Sequence, residues 1–122
     1  MKNKINIRNR IWLVDENGEV VFGGGRDLIL RAVDETGSMA QAAKKLGMSY
    51  RAVWGKVKAT EERLGIQLVN KSVGRRKGSN TSLTPAAKLL LERFEELDSR
   101  TKDFIDEAAG DLFNFDLDEL KS

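Results

Sequence analysis

Gly47 interrupts a helical pattern, and this interruption limits what the chain can fold into more than any other feature of the sequence. The stretch SMAQAAKKLGMSYRAVW begins with Ser38, a good helix-capping residue, and a second capping residue, Ser49, follows the glycine closely. Because a glycine inside a helix costs about 1 kcal/mol relative to alanine, it indicates a bend rather than one long helix. The sequence therefore predicts two helices, over 39–46 and 50–64, joined by a short turn.

Three residues of this stretch meet the demands of a helix-turn-helix unit. Ala43 is small enough to lie where the two helices cross, Gly47 tolerates the positive φ of the turn, and Val53 can be buried against the first helix. The spacing alone is a weak signal, but the two capping serines, the preceding helix and the basic hairpin that follows strengthen it. The pattern predicts a helix-turn-helix over 38–64, whose second helix would enter the major groove of DNA.

The candidate DNA-binding residues lie on the second helix and its N-terminal tip, on the helix before it, and in a later basic loop. Arg51 could donate two hydrogen bonds to guanine, worth about 1–3 kcal/mol of discrimination, or remain a solvated side chain. Tyr50 could bind phosphate or pack on the domain, and Trp54 could contact a base or be half-buried. Gly55 would allow either a close approach to DNA or close helix packing. The complete set is Gln41, Ser49, Tyr50, Arg51, Trp54, Lys58, Arg75, Arg76 and Lys77.

A polar, glycine-containing loop, NKSVGRRKGSNTS, lies between the short apolar segments QLV and SLT. This pattern predicts a β-hairpin wing over 66–83 with a basic tip at Arg75, Arg76 and Lys77. Such a tip would contact phosphates, which sets affinity and salt dependence rather than sequence preference. The alternative is an ordinary solvated run of charges.

The segment before the first helix predicts another hairpin, over 1–23. An acidic DENG turn separates INIRNRIWLV from the return strand EVVF. Trp12 and Val14 lie on the face opposite the main apolar alternation, so both faces of the first strand are expected to be partly covered. The alternating residues are Ile5, Ile7, Ile11 and Leu13.

The run GGGRDLILRAVDETG predicts a helix of about 11 residues that ends before Gly37. The triple glycine is interpreted as a tight strand-to-helix turn, because the Gly-Lys-Ser/Thr of a phosphate loop is missing. The predicted buried side of this helix consists of Leu28, Ile29, Ala32 and Val33.

Thr84 and Pro85 mark the start of a long last helix, predicted over 84–110. Apolar residues recur along it at alternating spacings of three and four, as in a coiled-coil seam. The alternative is a helix that only faces its own core, but this helix is too long for so small a domain to cover, so a homodimer is expected. The predicted interface residues are Leu90, Phe94, Leu97, Thr101, Phe104, Ile105 and Ala108. An acidic amphipathic tail, 111–122, follows.

The composition excludes several classes of function. The chain has no cysteine and no histidine, so thiolate metal sites, disulfides and catalysis by Ser-His or Cys-His pairs are impossible. We predict no catalytic residues, no metal site, no cofactor and no enzymatic activity. No segment approaches the run of about 18 apolar residues of a membrane helix, and the N-terminus lacks the apolar core of a signal peptide. A cytoplasmic, nucleoid-associated protein is expected.

The charge is divided unevenly along the chain. Residues 1–83 contain 16 Lys and Arg against 8 Asp and Glu, whereas residues 84–122 contain 5 against 11, so a net charge of +8 precedes one of −6. A basic surplus of this kind favours a polyanion such as DNA as the partner, although an accidental asymmetry of a solvated surface gives the same numbers. The expected architecture is mostly α (α+β): a winged helix-turn-helix domain over 1–110 with an N-terminal β-hairpin, a β-hairpin wing and a long C-terminal dimerisation helix.

The run GSMAQAAKKLGMSYRAVWGKVKATEERLGIQLVNKS, with LTPAAKLLLERFEEL after the loop, resembles the winged helix-turn-helix of LysR-type regulators. It resembles more closely the N-terminal DNA-binding domain of ModE-type molybdate-responsive regulators, through SYRAVW, the preceding VFGGGRDLILRAVDETG and the wing that ends in LT. The resemblance covers about residues 5–105. It implies a dimeric transcription factor for oxyanion (molybdate or tungstate) or metal-cofactor genes, with the 50–64 helix in the major groove.

Two features differ from the ModE-type pattern. The wing contains GRRKGSNT in place of a sequence close to GGKGGGGA, and the chain ends before the separate C-terminal domain that senses the oxyanion in that family. The resemblance therefore implies the standalone form, with no molybdate site expected in this chain. Two other functions remain open from the sequence: a protein-interaction module on the same scaffold, and a non-specific nucleoid-type DNA binder.

Overall fold

A computed structural model of the chain describes residues 6–71 and 81–113. Four helices and two small antiparallel hairpins make up this part of the molecule, so the predicted mostly α winged helix-turn-helix is confirmed. In chain order the elements are β1 (Trp12–Val14), β2 (Val20–Gly23), α1 (Gly24–Thr36), α2 (Met39–Leu46), α3 (Tyr50–Leu64), β3 (Val69–Lys71), β4 (Thr81–Leu83) and α4 (Pro85–Leu112).

Side-chain caps start α2, α3 and α4 where the sequence predicts them. The hydroxyl of Ser38 accepts a hydrogen bond from the Gln41 amide at 3.2 Å. The hydroxyl of Ser49 accepts one from Ala52 at 3.0 Å. Thr84 caps α4 in the same way, with Pro85 at the first helical position. Each cap pairs an amide that the first helical turn would leave without an acceptor, which fixes the three starting points.

The turn between α2 and α3 is built around Gly47. Its φ of +67° lies in the left-handed region, and the Met48 amide then donates to the Ala43 carbonyl at 2.9 Å. Ala43 and Val53 are both buried, as predicted for the crossing of the two helices. Helices α2 and α3 thus lie within the stretch 38–64, for which the sequence predicts a helix-turn-helix.

The core lies where α1 meets the other helices and both hairpins. Its largest fully buried side chains include Phe22 and Leu68, and the Phe22 ring packs edge-on against Phe94 with 5.1 Å between the ring centroids. The sequence predicts that Leu28 is on the buried side of α1, and this is wrong: Leu28 is 58% exposed, and Leu30 is buried in its place. The reason is that α1 contacts the other three helices as well as β2 and β4. Its buried side is therefore wider than one apolar stripe and does not include Leu28.

The N-terminal hairpin is shorter than the sequence predicts. Strand pairing begins at Trp12, and Ile7 is exposed in a segment without strand structure, while Ile5 lies outside the described residues. The short β2 provides no partner for residues farther upstream. Ile11 and Leu13 do pack against the core, as the alternation predicts.

Only the first part of α4 belongs to the core. Ala87, Leu91 and Phe94 are buried, and an ion pair of 3.2 Å joins Arg31 of α1 to Glu95. Beyond this point the helix exposes large apolar side chains, among them Phe104 at 71%. The helix contains 28 residues and is therefore about 42 Å long.

The division of α4 corrects one predicted interface residue. Phe94 is 8% exposed and packs inside its own chain, so it is not available to a second copy, and Leu90 is half-buried against the same core. The reason is that Phe22 reaches α4 from the N-terminal hairpin, a contact that helical periodicity cannot reveal. Across residues 6–71 and 81–113, no helix is long and apolar enough to cross a membrane.

Candidate nucleic-acid interface

One side of α3 is anchored in the core and the other faces solvent. Val53, Val57 and Thr60 are buried, so the helical period turns Arg51, Gly55 and Glu62 outward. At the N-terminal tip, Ser49 and Tyr50 are exposed as well, and Gln41 is exposed on α2. The predicted residues of the two helices therefore lie on the accessible part of the helix-turn-helix, with Trp54 half-buried at its flank.

Arg51 is the predicted arginine contact that lies within the described residues. It is exposed at the start of α3 and has no hydrogen bond or ion pair to any other described residue. Lys44 and Lys56 are also exposed and unpaired within the described part of the chain. These three cations can meet an external anion without first breaking a side-chain contact to another described residue.

Lys58 has partners within its own helix. Its ammonium lies 5.5 Å from the centroid of the Trp54 ring and 3.6 Å from a carboxylate oxygen of Glu61. The side chain is still 59% exposed, so it can exchange these contacts for a phosphate. The Trp54 ring then rests against the core with a cation on its outer face.

Glu61 connects α3 to the base of the wing, a role that the sequence analysis missed. One carboxylate oxygen, Oε2, accepts hydrogen bonds from the backbone amides of Leu68 at 2.7 Å and Val69 at 3.3 Å. The other oxygen faces Lys58. The only sequence signal was an acidic residue on the flank of the apolar stripe, just before Gly65 reverses the chain.

Two more contacts fix the wing base from other directions. The Thr84 hydroxyl donates to the Gln67 carbonyl at 2.7 Å, and the Thr81 amide donates to the Gly37 carbonyl at 2.8 Å. The strands pair in register, with Val69 opposite Leu83, which confirms the predicted hairpin at its base. The predicted basic tip, Arg75 to Lys77, lies outside the described residues.

Two arginines behind the interface are structural. The Arg26 guanidinium donates to the buried hydroxyl of Thr60 at 2.7 Å, and burial, followed by the nearby charge of Arg63, lowers the pKa of Arg26 from its ordinary value. Arg63 donates to the Val20 carbonyl at 2.6 Å and lies 3.5 Å from Glu19. Together they attach the C-terminal half of α3 to α1 and the N-terminal hairpin.

Gly55 has no structural explanation within the described chain. It lies inside α3, its φ is not positive, and a Cβ atom added to it would meet no atom within 4 Å. A glycine at such a position costs about 1 kcal/mol relative to alanine. Of the two possibilities that the sequence left open for Gly55, close packing against another helix is excluded for the helices within residues 6–71 and 81–113.

Comparison with known proteins places this geometry in a family. Residues 28–88, which contain α2, α3 and the wing, match the family described as "Bacterial regulatory helix-turn-helix protein, lysR family". The chain belongs to this family. The predicted resemblance to LysR-type and ModE-type regulators is thereby confirmed, and the LysR-type assignment agrees with the prediction that the chain is a regulator and not an enzyme.

Relatives of this LysR-type chain include the molybdenum-pterin-binding protein MopB of Rhodobacter capsulatus, 32% identical over 64% of this chain and 29% of its own length. The HTH-type transcriptional regulator TdcA of Escherichia coli K12 is 34% identical over 68% of this chain and 25% of its own. The molybdenum transport protein ModE of Herbaspirillum seropedicae is 34% identical over 63% and 29%. This chain thus spans between a quarter and a third of the length of these relatives.

A solved structure shares the fold of the LysR-type domain along most of its length. The DNA-binding domain of CbnR, solved as a complex with DNA, is 33% identical, with a TM-score of 0.54 over 70% of this chain and 95% of that one. The described geometry is therefore that of a LysR-type DNA-binding domain.

We predict that Glu61→Ala destabilises the LysR-type domain by about 2 kcal/mol, because two backbone amides at the wing base lose their acceptor. Urea denaturation measures the free energy of unfolding. Glu62→Ala is the matched control, since this neighbouring carboxylate is exposed and its loss should change stability by less than about 0.5 kcal/mol. Equal stabilities of the two variants would contradict the role given to Glu61.

We predict that Arg51→Ala weakens binding to a selected duplex by about tenfold and relaxes the preference at one base pair, as loss of a guanine contact should. Titration of the duplex and its single-base-pair variants measures both effects. Arg51→Lys is the control, because it keeps the charge and loses the forked geometry; it should retain non-specific affinity and lose discrimination. An equal loss on every sequence would show that Arg51 contacts only phosphate.

Proposed function

We propose that the chain is a sequence-specific, double-stranded DNA-binding transcriptional regulator that acts as a homodimer. The observation that carries the proposal is the exposed N-terminal part of α3, where Arg51 has no partner within the described chain, in a domain whose fold matches one solved on DNA. Recognition helices of this class contact base edges with their N-terminal residues. Gln41, Ser49, Tyr50, Trp54 and Lys58 complete the proposed contact surface on the two helices.

The positive charges near α3 and in the wing sequence support DNA, with its phosphate backbone, as the partner. Lys44 and Lys56, which have no ion-pair partner among the described residues, lie on either side of the α3 tip along the chain, and the wing sequence adds Arg75, Arg76 and Lys77. Cations at these places would neutralise phosphates and release counterions, so affinity should fall steeply with salt. Contacts of this kind position the protein, while Arg51 is proposed to supply sequence preference.

The homodimer is proposed to form through the part of α4 that leaves the core. Leu97 and Phe104 are exposed on this segment, and Thr101, Ile105 and Ala108 continue the same side of the helix. A helix with an uncovered apolar side of this length is typical of a two-fold interface, in which the same surface of two copies meets. Two recognition helices held in this way suit a palindromic site.

The regulated genes are proposed to serve uptake or use of an oxyanion, molybdate or tungstate, or of a metal cofactor. The support comes from two relatives, whose names are molybdenum-pterin-binding protein and molybdenum transport protein. Because this chain matches less than a third of those proteins, their activities are not transferred to it. The proposal concerns only the function of the genes that the chain regulates, not an activity of the chain itself.

The first test is the retention of sheared genomic DNA of the source organism on the immobilised full chain, followed by sequencing. We expect enrichment of one palindromic motif, with neighbouring genes that identify the pathway. Retention without enrichment would indicate a non-specific binder and contradict sequence specificity. No retention at moderate salt would contradict DNA binding and favour a protein-interaction module.

We predict that Phe104→Glu converts the dimer to a monomer, because a charge placed in the apolar seam has no partner there. Light scattering during size-exclusion chromatography measures the mass. Ser99→Glu adds the same charge on the opposite side of α4 and should leave the dimer intact. A Phe104→Glu protein that stays dimeric would place the interface elsewhere.

A further inference from the structure

Gly55 lies on the exposed side of α3, and neither a contact nor the backbone conformation among the described residues explains why this position is a glycine. The other glycines in the described part of the chain either have a positive φ, lie at a helix end, or, like Gly23, would bring a new Cβ atom within 3.1 Å of Trp12. Gly55 lies in the middle of α3, with open space where a side chain would be. A helix interior without any such constraint disfavours glycine relative to alanine.

Two alanines next to Gly55 on the same side of α3 form a strip of small residues with it. Ala52 lies three residues before it and Ala59 four residues after it, so both share its side of α3. From Ala52 to Ala59 the helix advances about 10 Å, and Ala52, Gly55 and Ala59 line that distance with nothing larger than a methyl group, while the exposed Lys58, three residues after Gly55, borders the strip. Arg51 lies at one end of the strip and Glu62 beyond the other.

We propose that Gly55 is a positioning residue for DNA, which lets the backbone of α3 lie against the floor of the major groove. This inference rests on the proposed function. A helix with its side chains is about 10–12 Å across and the groove is about 12 Å wide, so a missing outward side chain decides how deeply the helix enters. With Gly55 in the groove, Arg51 approaches the base edges with its full reach.

The charges along α3 indicate which end of the helix lies in the groove. Arg51 and Lys56 lie in the N-terminal half, whereas Glu62 faces outward in the last turn, where phosphates would repel it. The deeply inserted part of α3 therefore runs from its N-terminus to about Ala59. The helix leaves the groove before Glu62.

A paired measurement of stability and affinity tests the proposal. Gly55→Ala should raise the melting temperature of the full chain, because the new methyl group meets open space and alanine favours the helix. The same change should weaken binding about tenfold, equivalent to about 1.4 kcal/mol, because the methyl group lies where DNA approaches. Gly55→Leu should weaken it at least another tenfold, since the obstruction is larger.

The probe is a synthetic duplex of about 30 base pairs, long enough for two half-sites one helical turn apart, chosen by selection from a randomised pool on the wild-type chain. Gly110→Ala is the matched control: this glycine is also exposed in a helix with open space around it, but on α4, facing away from the proposed seam. It should bind the duplex as the wild type does.

Two results would overturn the inference while leaving the proposed function intact. A Gly55→Ala protein that is more stable and binds as tightly as the wild type would show that the glycine has no role in DNA binding. A Gly55→Ala protein that is less stable would show a role inside the chain instead. If the wild-type chain selects no duplex, the proposed function itself is wrong, a result distinct from both.

Discussion

The close crossing of α2 and α3 is the constraint on which the rest of the domain depends. The methyl group of Ala43 keeps the two helices near each other, and the left-handed conformation of Gly47 sets the direction in which α3 begins. Val53 then reaches a fully buried position. Because a helix can turn only one side inward, burying Val53 also determines that Arg51 and Gly55 face outward.

The basic half of the chain serves two separate purposes. Arg26, Arg63 and Lys45 bind acceptors inside the domain and hold the helices and the N-terminal hairpin in place. Arg31 of α1 is held in the same way: a hydrogen bond to Asp27 raises its pKa, and it also forms an ion pair with Glu95 of α4. Most of these pairs are at the surface, where each is worth at most about 1 kcal/mol, so they orient elements more than they stabilise them. Total charge alone therefore overestimates the number of cations that are available to DNA.

Local interactions made the helix starts predictable from the sequence. The hydroxyls of Ser38, Ser49 and Thr84 each accept a hydrogen bond from an amide three residues along, so these three caps are local interactions, although the Thr84 hydroxyl also donates to the distant Gln67 carbonyl. Leu28 and Leu30 could not be distinguished in this way, because the wide buried side of α1 depends on elements that follow much later in the sequence. The Glu61 contacts have the same origin, since its partners come after the reversal at Gly65. For Gly55 the sequence offered two explanations, and only the three-dimensional surroundings could remove one of them.

The continuity of α4 has a geometric consequence. One uninterrupted helix contains both the core residues Leu91 and Phe94 and the exposed Leu97 and Phe104, so the angle between these two surfaces is fixed by the helical repeat. Insertion of a single residue between them would rotate the outer surface by about 100° around the helix axis and advance it by about 1.5 Å. The domain would keep its fold and its α3 surface, yet the outer surface would face another direction. A change of length in this segment would therefore redirect the whole outer surface relative to the core, whereas a change of side chain would not.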